Sequence, residues 1–212
     1  MNDGQLVQIV DAAFAHAARR SGEWLVCRAG CTQCCIGPFP INQLDAARLR
    51  QGLFELEALD SERAIRVRRR ARASVLRLSS DFPGDPATGI LDEDDEDKSS
   101  ERRFASFAND EPCPALDPGT GRCDLYQARP MTCRVFGPPL RSEEGLGHCE
   151  LCYHGASPEQ ISACELRADP DDLEARLVHD LEQTTGIRGD TIIAFCLEAC
   201  PPAPIPHNPS MP

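Results

Sequence analysis

The chain has 212 residues, 41% hydrophobic and only 5% aromatic, so the core of one moderate domain must come mainly from Leu, Ala, Ile and Val. Its formal net charge of −12 argues against a nucleic-acid partner, because a phosphate backbone repels an acidic protein. No apolar stretch approaches the length of a membrane span, which leaves twelve cysteines as the outlying feature.

The N-terminus lacks a basic start followed by an unbroken apolar run, so it does not read as a secretory signal, and a cytoplasmic protein is expected. Leu6, Ile9, Val10, Ala13, Phe14 and Ala17 instead fall at helical spacing and predict a helix over 4–20. The stretch from Cys27 to Pro40 is too rich in Gly, Pro and Cys to be regular. A second helix is expected over 42–57, capped by Asn42, with Leu44, Leu49, Leu53 and Leu56 on one side. Asp60 or Ser61 caps a third, running to about Leu78. Its apolar residues are Ile65, Val75, Leu76 and Leu78, and Arg63, Arg66, Arg68, Arg69, Arg70, Arg72 and Arg77 crowd the rest.

Pro83 and Pro86 end that helix, and 83–103 reads as a flexible acidic insertion holding the run Asp92 to Asp97. A basic helix and an acidic run this close are either a screened docking surface or, as favoured here, two solvated polar segments. From Cys113 to Cys152, Pro, Gly and Asp dominate between cysteines and imply short turns with a small hairpin around Gly121. Helices are expected over 158–167, 171–185 and 191–199, and the tail 201–212 reads as Pro-rich and disordered. The expected architecture is therefore mainly α: a small single helical domain over 1–200, with irregular Cys-rich metal-binding loops and little or no β-sheet.

In a reducing compartment dense cysteine implies metal ligation or redox chemistry; the rival, a secreted disulfide scaffold, fits poorly with this length and N-terminus. Cys27, Cys31, Cys34 and Cys35 lie within nine residues, and gaps of two or three residues let two sulfurs reach one metal from a tight loop. The adjacent Cys34 and Cys35 tend to point apart. Either one is a ligand and the other packs, or they serve different metals or a polynuclear cluster. The second region supplies Cys113, Cys123 and Cys133, then Cys149 and Cys152 at chelating spacing, with His148 and His154 as substitute ligands. These nine cysteines suffice for two four-coordinate sites, or for one iron–sulfur cluster and a zinc.

Four thiolates leave a net −2 around zinc or around an oxidised four-iron cluster. Arg28, Arg122, Arg129 and Arg134 are placed either to hydrogen-bond sulfur and offset that charge or to sit on the surface; Arg134, directly after Cys133, is favoured for the first role. Cys164 and Cys196 read as core residues, Cys200 as incidental, and His16, His179 and His207 as isolated.

The order Cys27-x3-Cys31-x2-Cys34-Cys35, then Cys113-Pro114-Ala115-Leu116, then Gly121 through Phe136 with Cys123, Tyr126, Arg129, Pro130, Cys133 and Arg134, resembles the YkgJ-type cysteine-cluster family. That family is described as zinc- or iron-chelating, and the likeness covers about Cys27 to Cys152. The resemblance implies that Cys27, Cys31, Cys34, Cys35, Cys113, Cys123 and Cys133 are shared cysteines and that Tyr126, Arg129, Pro130 and Arg134 belong to the shared motif. A related motif occurs in flagellin lysine N-methylases, but this chain is shorter and shows no separate substrate domain, so methylase activity is not carried over.

The leading expectation is an iron–sulfur protein, with a four-iron cluster, acting in electron transfer with a redox partner or inside a redox enzyme. The alternatives are a zinc-held structural or interaction protein and a metal carrier. No catalytic acid–base pair, phosphate loop or Ser-His-Asp order stands out, so whether the chain is an enzyme stays open.

Overall fold

A computed structural model describes residues 1–93, 99–142, 145–169 and 171–198. Most of the acidic run, Cys200 and the Pro-rich tail lie outside the described residues.

The helices form where capping and periodicity direct them. Helix α1 (Asp3–Ser21) starts at a capping box in which the Asn2 side chain accepts from Gln5 N and the Gln5 side chain from Asn2 N; it buries Leu6, Val10 and Ala17. Helix α2 (Gln43–Leu59) is capped by Asn42, which accepts from Asp45 N at 2.9 Å, and buries Leu44, Leu49 and Leu53. Helix α3 (Ser61–Leu78) is capped by Asp60. Its buried face differs from the expected one: Ala64, Val67, Ala71, Ser74 and Leu78 face inward, while Ile65 and Leu76 are exposed. Small residues at i, i+3, i+7 and i+10 let α3 lie close against α2 and the short C-terminal helix α8 (Ile193–Glu198).

The 83–103 stretch carries more structure than a flexible insertion implies. Strands β1 (Gly84–Asp85) and β2 (Ile90–Leu91) pair antiparallel, and helix α4 (Ser99–Ala105) follows. Leu91 N donates to Asp190 O at 2.9 Å and the Thr191 hydroxyl to Gly89 O at 2.6 Å, so the hairpin is tied to the chain entering α8. Beneath it Phe82 packs on Phe195, with ring centroids 4.3 Å apart, and on Phe107. The apolar signals of Phe82, Ile90 and Leu91 outweigh the acidic residues that follow them.

Strands β3 (Leu116–Asp117) and β4 (Arg122–Cys123) make the expected hairpin around Gly121, with Leu116 opposite Cys123. A short helix α5 (Met131–Val135) comes next, then β5 (Leu140–Ser142) paired with β6 (Gly145–Gly147). Helix α6 (Pro158–Ala163) has a Ser157 capping box, and Asp169 accepts from Leu173 N and Glu174 N at the start of α7 (Leu173–Thr185). Short two-stranded pairs are the sheet content among the described residues, so the fold is mainly α. No described helix is long and apolar enough to cross a membrane.

One core lies among α2, α3 and α8, with Cys113 and Cys123 packed at its edge. A second joins α1 and α7 through Leu6, Val10, Leu44, Met131 and Leu173. The cysteine loops sit where these cores meet the irregular chain.

Candidate metal centre

The first cysteine loop divides its thiols between two places. Its N-terminal part turns through Arg28 and Cys31, with Cys31 N donating to Arg28 O at 2.9 Å. A 3-10 turn over Gln33–Cys35 then presents the vicinal pair. Cys35 O accepts from Cys113 N at 2.8 Å, Gly37 N donates to Glu111 O at 2.8 Å, and Ile36 bridges Pro112. This short antiparallel contact needs a glycine: Gly37 has φ +82°, and a Cβ there would stand 3.3 Å from Asn109 O. It carries Cys34 and Cys35 to Cys113. Leu116 opposite Cys123 and Asp124 N on Ala115 O at 2.7 Å add Cys123, and α5 adds Cys133.

The thiols' mutual electrostatics trace the same division. Burial first, then the charges of Cys123 and Cys34, push Cys113 up to about 12; burial, then Asp124 and Cys34, hold Cys123 above the ordinary thiol value; and burial, then Cys113, Cys34 and Cys123, hold Cys133 above it. Cys35 is raised first by its hydrogen bond to Cys34, which is itself lowered to about 7 by that bond, with Arg129 a further cause. The second group is separate. Cys27 Sγ lies 3.9 Å from Cys152 Sγ; desolvation, then Cys152, Cys149 and Cys31, raise it to about 12. Cys149 is raised by burial, Cys152 and Cys31. By these contacts the nine cysteines fall into groups of five and four.

Free thiols are the donor type a thiophilic metal takes. All eleven described cysteines are free. Backbone N–H groups point at sulfur in the pattern that favours thiolate: Ala115 and Leu116 at Cys113, Leu125 at Cys123, Leu151 at Cys149. Among the described residues no group of three or more Cys, His, Asp or Glu is placed so that it could hold a metal ion, so the thiols are neighbours rather than a formed site. A cavity of about 440 Å³ lies elsewhere, against Leu91, Asp92, Phe104 and Asp190, with no cysteine in its lining.

The arginines sort differently from expectation. Arg129 is the cation felt by Cys34 and Cys123, and its guanidinium stacks 3.8 Å over the Tyr126 ring. Arg134 is buried, and its bonding partners are both Asp11 carboxylate oxygens at 3.0 Å, Arg129 O at 3.2 Å and Gln127 O; none is a thiol. It therefore acts by bracing α5, and with it Cys133, against α1. Arg28 and Arg122 are exposed. Asp45, buried beside Arg48, accepts from Met131 N at 3.0 Å and holds the other end of α5. His148 Nδ1 contacts Cys149 O at 3.0 Å and its ring leans on Tyr153. Cys196 is core, its thiol donating to Ala46 O. Cys164 is buried too, next to Cys149, Cys152 and Tyr153.

The basic helix supplies what sequence reading missed. Arg63 Nε and Arg70 Nη2 each meet Asp124 at 2.5 Å, Arg70 Nε donates to Pro114 O at 2.8 Å, and Arg77 meets Glu111 at 2.6 Å. These partners flank Cys113 and Cys123, so part of α3's charge clamps the second cysteine loop.

A family profile described as "Putative zinc- or iron-chelating domain", CxxCxxCC, matches residues 26–153. The chain belongs to this family. In this member the first gap holds three residues rather than two, and the matched span takes in both thiol groups. No curated protein and no solved structure matches the chain.

Proposed function

We propose that the protein holds an iron–sulfur cluster on the group Cys34, Cys35, Cys113, Cys123 and Cys133 and serves in electron transfer or as the metal-bearing part of a redox enzyme. The observation that carries this reading is the convergence of five thiols from three separated stretches. One mononuclear ion accepts four, and a vicinal pair that joins one group suits a polynuclear cluster better. When bound, such a cluster supplies one-electron redox chemistry. The chain's part is to exclude water behind the α2–α3–α8 core, to aim amides at Cys113 and Cys123, and to offset negative charge with Arg129. Those amides and that charge favour the more anionic, reduced state and so raise the potential above that of a cluster on bare thiolates.

Metal analysis with a visible spectrum of anaerobically purified protein tests this. Brown protein whose charge-transfer absorption bleaches with dithionite is the expected result, with Cys113→Ser losing iron and colour. Colourless protein carrying stoichiometric zinc and no iron would refute the iron–sulfur reading in favour of a zinc-held structural protein.

A further inference from the structure

We infer that the outer face of α3 is a docking surface for an acidic helix of a partner protein, laid along Ile65, Arg69, Arg72 and Leu76. The inference is independent of the metal the cysteines take, since it uses none of them.

The charge of α3 is unequally used. Its seven arginines against one glutamate leave the helix at +6, so a chain of net −12 carries −18 elsewhere. Arg63 and Arg70 meet Asp124, Arg68 meets Glu57 at 2.8 Å and Arg77 meets Glu111 at 2.6 Å. Arg69 and Arg72 are exposed and make no ion pair or hydrogen bond among the described residues. With 34 Asp and Glu against 22 Lys and Arg, the chain has carboxylates to spare for two more arginines, yet none meets them.

These two cations share a stripe with the outward hydrophobes of the helix. Positions 65, 69, 72 and 76 fall at i, i+4, i+7 and i+11, the spacing that keeps a seam on one side of a helix and receives a second helix along its length. At about 100° per residue they lie within about 60° of one another. They stand opposite Val67, Ala71, Ser74 and Leu78, which are buried toward the core. Ile65 is 52% and Leu76 75% exposed. A lone exposed hydrophobe is ordinary surface. Two that bracket a cationic pair on one seam make a strip with apolar ends and a basic middle, about 16 Å long at the helical rise.

The chemistry of the strip selects its occupant. Arg69 and Arg72 take carboxylates in forked hydrogen bonds, and Ile65 and Leu76 take aliphatic side chains one turn to either side. The matching surface is a helix with Glu or Asp in the middle of a seam and Leu or Ile at its ends. A second α3 is the wrong occupant, because laid either way it sets arginine against arginine, and like charges opposed on a seam repel. Nucleic acid is the wrong occupant because the −18 carried by the rest of the chain repels phosphate. The same uneven charge turns an acidic partner away from the other surfaces and toward α3, which speeds association at low salt. A contact this small suits a transient complex.

The test is fluorescence anisotropy of the full chain with a labelled synthetic peptide of about 20 residues, long enough to hold a helix. It carries Leu, Glu, Glu and Leu at i, i+4, i+7 and i+11. Saturable binding is expected, weakened at least ~10-fold by Arg69→Glu with Arg72→Glu and again by raising salt from about 0.05 to 0.5 M. Leu76→Ala, which leaves the charge alone, should weaken it about 5–10-fold. Neither arginine has a partner in the fold, so the double variant should keep the wild-type thermal midpoint and metal content. Should it not fold, Arg69→Gln with Arg72→Gln carries the test with the same expectation. Absence of binding to wild type, equal binding of a scrambled peptide of the same composition, or unaltered affinity in the folded double variant overturns the proposal. Tighter binding of a short DNA duplex that the double variant loses also overturns it, making α3 a phosphate-binding helix. So does self-association of wild type that the double variant loses, which would make a second copy the occupant.

Discussion

Asp124 is where the basic helix and the metal loop meet, and Asp124→Asn separates clamp from ligand. Its carboxylate side chain is 3% exposed and receives Arg63 and Arg70, each at 2.5 Å, one residue after Cys123. The asparagine keeps the shape but turns an amide donor toward two guanidinium donors. Breaking a buried pair by removing one partner costs about 3–5 kcal/mol. The arginine side chains are 39% and 23% exposed, so water recovers part of that and about 2–3 kcal/mol remains. At about 2–4 °C per kcal/mol for a chain of this length, the thermal midpoint of the metal-loaded protein should fall by about 4–12 °C. The same change loosens the strand that presents Cys123. Metal transfer to a chromophoric chelator should therefore speed up by about 10–100-fold, the range typical for residues that hold ligands in place. Arg72→Gln, on the exposed side of the same helix, should change stability by no more than about 0.5 kcal/mol. If Asp124→Asn melts and releases metal as wild type does, α3 is not a clamp and its arginines are ordinary surface charge.

Arg134→Lys keeps the charge but cannot reproduce a fork shared among Asp11, Arg129 O and Gln127 O, so about 2–4 kcal/mol should be lost, read by urea titration; a wild-type midpoint would show that α5 does not need this brace. Burial works to raise the Glu111 pKa, but the hydrogen bonds and charge of Arg77 help outweigh it, and the carboxyl is held below its ordinary value. A folded value below the unfolded one means the pair's contribution is complete above the unfolded value of ~4.3 and is lost as pH falls through the folded value. Arg77→Gln should therefore flatten the acid limb of stability against pH, and superimposable limbs for variant and wild type would contradict the pairing.

Much of the fold could be read from local chemistry. Asn42 and Asp60 stand where side chains cap orphan amides, and each caps a helix as its position predicts. What failed was the assignment of faces where tertiary packing overrides hydrophobicity. Ile65 and Leu76 are the larger hydrophobes of α3, yet Ala64, Val67 and Ala71 are buried, because close approach to α2 and α8 rewards small residues. The acidic composition after Pro83 likewise hid a hairpin whose order comes from the distant Asp190 and Thr191. Long-range partners of this kind leave no local trace.

The cysteine centre shows the same division. Chelating gaps announce that Cys27 and Cys31, or Cys149 and Cys152, belong together, because two or three residues fix the reach of a loop. They do not announce which loop faces which. That is decided by the Ile36–Pro112 bridge, which commits Cys34 and Cys35 to Cys113, and by the approach of Gly137 to Cys27, which commits the start of the same loop to Cys149 and Cys152. Only Thr32 and Gln33 stand between Cys31 and Cys34, so less than one helical turn of chain separates thiols that these two contacts send to different parts of the second cysteine region.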